Sequence, residues 1–199
     1  MFDPNGFCAP ALLPAKHVQA EVWKEGYGWD EELPDKFKTA WEKATDGWST
    51  NSIHLPRRCF SLKRDEPIQL HAFADAAGTG IGYVIYARHI STYETGILFA
   101  RALVIPASMQ PKPTKKDPDA LRGISIPRLE IQALYLLART VSRLKETLNI
   151  PIAEVTLWTD STTTIQWLKK EHHGETFVRK RIKVLRPFIV KYVNTLSIC

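Results

Sequence analysis

Alternating apolar and polar positions in the middle of the chain predict a β-sheet. From Ile68 to Asp75 the two classes alternate with a period of two, which is typical of a strand with one buried face. Two further strands are predicted over residues 81–88 and 97–105, and the connections between the three are short. Short connections favour antiparallel neighbours. The pattern therefore predicts a three-stranded antiparallel meander.

The segment before this meander lacks the alternation. Residues 12–23 and 33–44 predict two helices, the first of which ends at the glycines that follow it. Residues 1–64 are too few and too rich in loops to predict a large core of their own. We therefore expect a small, mainly helical region at 1–64, followed by a domain at 65–199.

After the meander, the apolar spacing changes to that of a helix. Residues 106–127 contain five prolines and predict a loop. A long helix is predicted over 126–148, then a fourth strand over 154–159 and a second helix that begins near Ser161. Because a helix connects the third strand to the fourth, the fourth strand should run parallel to its neighbour. The helix carries one stripe at alternating spacings of four and three: Glu130, Leu134, Leu137, Val141, Leu144 and Leu148.

Three carboxylates occupy positions where an apolar or capping residue is more usual. Asp75 and Asp160 end strands, and Glu130 lies on the leucine stripe. Each alone also fits a structural role: Asp75 as a turn former, Asp160 as a helix cap, and Glu130 as an acid that interacts favourably with the helix dipole. Together they predict one site, because each lies near the end of an element and the topology could bring those ends together. Three clustered carboxylates repel one another, so such a site must either raise a carboxyl pKa or bind a cation. Oxygen ligands favour Mg²⁺ or Mn²⁺, and two such ions can support phosphodiester cleavage.

The charge of the chain is distributed unevenly. Residues 1–74 contain 9 Lys/Arg and 11 Asp/Glu, whereas residues 75–199 contain 18 and 10. The second part therefore carries a balance of +8, which favours a polyanionic partner, although a solvated basic helix face explains it equally well. No apolar run is long enough for a membrane span. The three scattered cysteines and the absence of a signal peptide predict an intracellular protein.

This order of strands, helices and acids resembles ribonuclease H. The chain also resembles, more narrowly, the Pol polyprotein of BEL/Pao-type retrotransposons, over about residues 1–182. The motifs that carry this resemblance are Phe2-Asp3-Pro4, Lys16, the stretch from Trp23 to Gly28-Trp29-Asp30, Ile53-His54-Leu55-Pro56-Arg57-Arg58-Cys59, Phe73-Ala74-Asp75-Ala76, Ser125-Ile126-Pro127-Arg128-Leu129-Glu130 and Leu157-Trp158-Thr159-Asp160-Ser161-Thr162.

The resemblance implies a fold, a reaction and a partner. The fold is a ribonuclease H-like mixed sheet, and residues 1–64 would be the connection region that follows a reverse transcriptase. Asp75, Glu130 and Asp160 would hold Mg²⁺ or Mn²⁺ and cleave the RNA strand of an RNA·DNA hybrid, in the cytoplasmic particle of a retroelement. The residues expected to contact the nucleic acid are Thr79, Lys115, Lys116, Arg128, Ser161 and Thr162.

The chain also departs from the family pattern. Ribonucleases H have a fourth acid beyond the second helix, and the acids that follow Asp160, Glu171 and Glu175, come too early for that place. Beyond Lys183 the sequence differs from the family, which predicts a truncated or decayed C terminus. Two alternatives therefore stay open: an inactive scaffold that binds nucleic acid or polymerase, and an aspartic peptidase, a label also given to this family region. Neither Asp75 nor Asp160 precedes the Thr/Ser-Gly pair that such peptidases use.

Overall fold

The computed structural model describes residues 3–48, 60–61, 65–105, 112–114, 117–122, 124–170, 175–192 and 195–198. The chain begins with two helices, and a mixed arrangement of strands and helices follows them. The elements in order are α1 (Ala9–Glu25), α2 (Asp35–Thr45), β1 (Ile68–Ala76), β2 (Gly80–His89), β3 (Thr95–Val104), β4 (Lys112–Thr114), β5 (Asp117–Arg122), α3 (Ile126–Thr147), β6 (Ile152–Thr159), α4 (Thr162–Lys169), α5 (Thr176–Tyr192) and β7 (Thr195–Ile198).

The main sheet confirms the predicted topology. Its strand order is β3-β2-β1-β6-β7, in which the first three strands are antiparallel neighbours and β6 runs parallel to β1. The crossover through α3 explains this direction, because a helix between strands three and four returns the chain to the same end of the sheet. A fifth strand, β7, was not predicted and pairs in parallel with β6.

Two further elements correct the predictions. The proline-rich segment at 106–127 was expected to be a loop, yet part of it forms an antiparallel pair of strands, β4 and β5. The segment after residue 175, for which no element was predicted, contains a 17-residue helix, α5, with Pro187 inside it. Val178, Ile182 and Leu185 on α5 are buried in the core, so this helix is part of the domain.

The core lies between the sheet and α3. Leu70 and Ala72 on β1, Leu157 on β6, and Leu134 and Leu137 on α3 are all fully buried in one cluster. On β1, the alternation predicted from sequence is observed, with every second side chain buried from Ile68 to Ala76. Within the described residues, none of the helices combines the length and the apolar character that crossing a membrane requires.

The N-terminal segment is fastened to the edge of the sheet. The backbone N–H of Ala100 on β3 donates to the carbonyl of Asn5 at 2.7 Å, and Lys16 Nζ donates to the carbonyl of Ala102 at 3.2 Å. Gly6, which follows Asn5, adopts φ +77°, and a Cβ at this position would lie 1.6 Å from the Ala100 carbonyl oxygen. The close approach of the two backbones therefore requires glycine.

Gly6→Ala is expected to detach this segment from β3 without unfolding the sheet. The substitution combines an unfavourable φ with a backbone clash, each of which costs about 1 kcal/mol or more. Hydrogen exchange of the Ala100 amide should become faster, while exchange in β1 stays slow. Gly28→Ala is the control, because a Cβ there meets side-chain atoms of Glu31 no closer than 3.7 Å. Unchanged Ala100 exchange in Gly6→Ala would contradict the prediction.

His71 makes the stability of the fold depend on pH. Burial lowers the pKa of this histidine, the positive charge of Arg88 lowers it further, and Glu154 opposes both. Its Nε2 is buried and has no hydrogen-bond partner among the described atoms. Below a pH of about 6.5 the unfolded histidine binds a proton that the folded one resists, so the folded state loses stability as the pH falls.

We therefore expect the free energy of unfolding to decrease below about pH 6.5, and His71→Gln to flatten that decrease. Urea unfolding at a series of pH values measures both effects. His17→Gln, which changes a histidine on α1, controls for the general effect of losing an imidazole. Equal pH dependence in the wild type and His71→Gln would exclude His71 as the cause.

Candidate active site

Asp75 and Asp160 end two strands that are parallel neighbours. The last paired positions of β1 and β6 are Phe73 and Trp158, whose rings stack at 5.6 Å, and each acid lies two residues beyond. Because the strands run in the same direction, both carboxylates lie at the same end of the sheet, where β1 and β6 terminate. Both also line one cavity of about 410 Å³, together with residues of α1, β2 and β3. The other lining residues are Ala9, Pro10, Phe73, Ala74, Gly82, Tyr83, Val84, Arg101 and Ala102.

The surroundings of these acids differ from what their sequence positions suggested. Asp75 and Asp160 are exposed, and Glu130 is half-buried rather than part of the buried stripe. An exposed carboxylate retains its hydration and needs no counter-charge, so Asp75 and Asp160 are stable at these positions without a partner. The Asp75 carboxylate accepts a hydrogen bond from the backbone N–H of Ala76 at 2.6 Å.

Glu130 is linked to Asp160 through the residue that follows it. The Ser161 hydroxyl donates to the Glu130 carboxylate, and Ser161 Oγ accepts from the backbone N–H of Thr164 at 3.1 Å. Ser161 is 5% exposed and is the N-cap of α4. One buried hydroxyl therefore joins Glu130, near the start of α3, to the end of β6.

The structure assembles the three acids only in part. Asp75 and Asp160 share a cavity, and Glu130 contacts Ser161, but no three His, Cys, Asp or Glu side chains in the described part of the chain are grouped closely enough to hold one ion. The pair nevertheless fits the chemistry of Mg²⁺, which is bound through one or two carboxylates and completes its shell with water and substrate oxygens. Asp75 and Asp160 are thus the residues best placed to hold it.

An ion pair near Glu130 was not predicted. Arg128 Nε lies 2.6 Å from Glu175 Oε1, which brings the segment before α5 against the first turn of α3. Both side chains are partly exposed. No local pattern could have revealed this pair, because its members are far apart in the sequence and meet only through tertiary packing. The ion pair therefore links the first turn of α3 to the residue that precedes α5.

The residues expected to contact nucleic acid fall into three groups. Thr79, between β1 and β2, and Thr162, at the start of α4, are exposed. Arg128 is held by Glu175, and the Ser161 hydroxyl already has two protein partners. Lys115 and Lys116 lie outside the described residues. Among the members of the set that the structure describes, Thr79 and Thr162 are thus the ones whose side chains are open to a ligand.

Ser161→Ala is expected to destabilise the protein by about 1 kcal/mol, the usual cost of losing a helix N-cap. The same change removes the hydrogen bond to Glu130. Urea unfolding measures the loss of stability. Ser125→Ala is the matched control, because Ser125 is the N-cap residue of α3 but its side chain makes no capping hydrogen bond. Equal effects of the two substitutions would show that the capping bond of Ser161 contributes nothing.

Comparison with known proteins identifies one family and several distant structural neighbours. The family model described as Pao retrotransposon-like RNaseH-like domain matches residues 1–161. No curated protein matches this chain. RNase H1 from the halophilic archaeon Halobacterium salinarum NRC-1 is 14% identical, with a TM-score of 0.39 over 66% of this chain and 83% of its own.

Some of the neighbours were solved with nucleic acid, and two examples contain an RNA/DNA hybrid. LC11-RNase H1 in complex with RNA/DNA hybrid is 14% identical, with a TM-score of 0.41 over 66% of this chain and 83% of its own. The foamy viral protease-reverse transcriptase in complex with RNA/DNA hybrid is 8% identical, with a TM-score of 0.45. That alignment covers 97% of this chain and 22% of the foamy viral chain.

Proposed function

This chain belongs to the Pao retrotransposon-like RNaseH-like domain family, and we propose that it cleaves the RNA strand of RNA·DNA hybrids with the help of Mg²⁺ or Mn²⁺. The observation that carries the proposal is the pair Asp75 and Asp160, which end adjacent parallel strands and line one cavity. The matched segment, 1–161, contains both of these acids and Glu130.

The metal would be held by Asp75 and Asp160, with Glu130 supported from the side by Ser161. A bound divalent ion supplies an activated water and stabilises the leaving oxygen of a phosphodiester. The protein's own contribution is to fix its ligands. Asp160 is anchored between β6 and the capped N terminus of α4, and Ser161 restrains the Glu130 carboxylate. Rigid supports of this kind keep a metal site in its productive geometry.

The protein would bind the hybrid through the backbone of the nucleic acid. Duplexes that contain RNA are recognised mainly by shape and by contacts to phosphates and 2′-hydroxyls. Thr79 and Thr162 are exposed and offer hydroxyls for such contacts. Arg128, Lys115 and Lys116 are proposed as phosphate partners, and Arg128 would have to leave Glu175 to act as one. The balance of +8 over residues 75–199 favours this polyanion.

The peptidase alternative is not favoured. Asp160 is followed at once by Ser161, which caps helix α4, so the strand continues into a helix instead of the glycine-containing turn that aspartic peptidases place after their aspartates. If the chain is an inactive scaffold, it should bind the hybrid but not cleave it. If it is a nuclease, it should do both. A cleavage assay therefore decides between the scaffold and the nuclease.

The purified chain is expected to cut the RNA strand of an end-labelled RNA·DNA hybrid in Mg²⁺ or Mn²⁺, and to stop when EDTA is added. Single-stranded RNA and double-stranded DNA of the same sequence should remain intact. Binding of the hybrid without cleavage, at every concentration of both metals, would replace the nuclease proposal by the scaffold. Cleavage that continues in EDTA would indicate a contaminating nuclease and would contradict metal dependence.

We further propose that the chain acts beside a reverse transcriptase encoded upstream in the same polyprotein, inside an intracellular retroelement particle. Support comes from the retrotransposon family to which the chain belongs. The DNA upstream of the coding sequence is expected to contain a reverse transcriptase reading frame in phase with this one, and particle fractions should contain the chain. An upstream region that encodes no polymerase would contradict the proposal.

A further inference from the structure

We propose that this protein associates with itself, through docking of the basic helix α5 of one copy into an acidic tryptophan groove on a second copy. The tryptophan groove lies between α1 and α2, has a volume of about 640 Å³, and is lined by Trp23, Trp29 and Trp41 together with Tyr27 and Phe37. It is separate from the cavity that contains Asp75 and Asp160, so the proposal does not depend on catalysis.

The tryptophans are far more exposed than large aromatic side chains usually are. Trp23 is 57% exposed, Trp29 is 86% exposed and Trp41 is 44% exposed. Neighbouring rings hold them in place, since Trp23 packs edge-to-face on Trp29 at 6.2 Å and Trp41 on Trp48 at 6.4 Å. A contiguous aromatic patch of this kind marks an interaction site, and tryptophan is among the residues that contribute most to binding.

The charge around the groove selects a cationic partner. Residues 21–46 contain eight acidic and four basic residues. Three of the four lysines are already paired within the region: Lys24 with Glu21, Lys36 with Glu25, and Lys38 with Glu32 and Asp35. Glu31 and Glu42 line the groove itself, as do Lys16 and Lys38. Lys38 is already paired with two acids and Lys16 donates to the Ala102 carbonyl, so the surroundings of the groove keep a net negative charge. This negative rim repels a nucleic-acid backbone and attracts Lys and Arg.

Helix α5 has the complementary composition. Its buried residues Val178, Ile182 and Leu185 face the core, so the opposite side of the helix is left toward solvent. Val184 is 45% exposed and Val190 is 88% exposed, which is unusual for large apolar side chains on a helix. Positions spaced by three and four residues lie on one helical face, and here the exposed members of that face are Lys180, Lys183, Val184, Pro187 and Val190.

The two surfaces therefore match in chemistry. An amphipathic helix that binds in a groove places apolar side chains at spacings of three and four into the groove and charges along its rim. Val184 and Val190 would contact the tryptophans, while Lys180 and Lys183 would lie near Glu31 and Glu42. The groove and the helix are different surfaces, so the contact is head-to-tail. Such contacts build a closed ring when the rotation between copies closes, and an open chain when it does not.

Sedimentation equilibrium of the full chain tests the proposal. The average mass is expected to rise with protein concentration above the 22.6 kDa of one chain, and to fall back toward it in high salt. Trp29→Ala should weaken self-association about tenfold or more, the effect of losing an interfacial tryptophan. Tyr93→Ala removes an aromatic that is 65% exposed elsewhere and is the control. A monomer at all concentrations, or equal effects of the two substitutions, would overturn the proposal.

A charge exchange tests which surfaces meet. The double variant Lys180→Glu/Lys183→Glu and the double variant Glu31→Lys/Glu42→Lys should each stay monomeric alone, yet associate when mixed, because each now carries a surface that matches the other. Lys169→Glu/Lys170→Glu, exposed on and after α4, is the charge control and should associate normally. Failure of the mixture to associate, with both variants folded by circular dichroism, would show that these two surfaces are not partners.

Discussion

Asp75→Asn is expected to reduce cleavage of the RNA strand about a thousandfold or more. The amide keeps the size of the side chain but removes the negative charge that would hold the divalent ion. A metal ion supplies several kcal/mol of transition-state stabilisation, and a loss of about 4 kcal/mol corresponds to about a thousandfold in rate. Single-turnover cleavage of a labelled hybrid at saturating Mg²⁺ measures the effect. Binding of the hybrid should change much less than its cleavage.

Asp65→Asn is the matched control for this substitution. Asp65 is an exposed aspartate that lines a different cavity, between β1 and the end of α3, so the same chemical change is made away from the site. Asp75 is also exposed, and both variants should unfold within about 0.5 kcal/mol of the wild type. Full cleavage by Asp75→Asn would remove this residue from the site, and with it the pair on which the proposed function rests.

Leu134→Ala is expected to destabilise the protein by about 2–5 kcal/mol, the range for removing a large side chain from a packed core. Leu134 is fully buried on α3 and belongs to the cluster that joins this helix to the sheet. Truncation both loses buried apolar surface and leaves a cavity that rigid neighbours fill only in part. The midpoint of urea unfolding should fall strongly, and the native fraction at elevated temperature should fall with it.

Ile126→Ala, on the same helix, provides the comparison. Ile126 is 42% exposed, so its truncation removes little buried surface and should change the free energy of unfolding by about 0.5 kcal/mol or less. Similar losses from Leu134→Ala and Ile126→Ala would mean that α3 does not pack on the sheet as described.

Prediction from sequence succeeded where a local pattern has one structural solution. The alternation from Ile68 admits only a strand with one buried face, and the helical stripe that contains Leu134 and Leu137 admits only a helix packed on a core. Short links then made the first three strands antiparallel, and the α3 crossover made β6 parallel to β1. The family resemblance was confirmed by the match over residues 1–161.

Prediction from sequence missed strands β4, β5 and β7 and helix α5. Strand β7 forms a ladder with β6, and β4 and β5 pair with each other inside a proline-rich segment whose composition is typical of a loop. Helix α5 was not predicted, and its burial in the core depends on its packing against α3. Amino-acid composition indicates how polar a segment is. A strand forms only when another backbone segment pairs with its N–H and C=O groups, and composition does not identify that segment.

The sequence by itself determined the sheet, the long helix, the family and the identity of the acids at the strand ends. These features follow from the periodicity and the residue types of short segments, which can be recognised without knowing how the chain folds. Only the tertiary structure decided how those acids meet. It placed Asp75 and Asp160 in one cavity, joined Glu130 to Ser161, and left the aspartates exposed rather than buried. Side-chain burial and grouping depend on how whole elements pack, which no local pattern specifies.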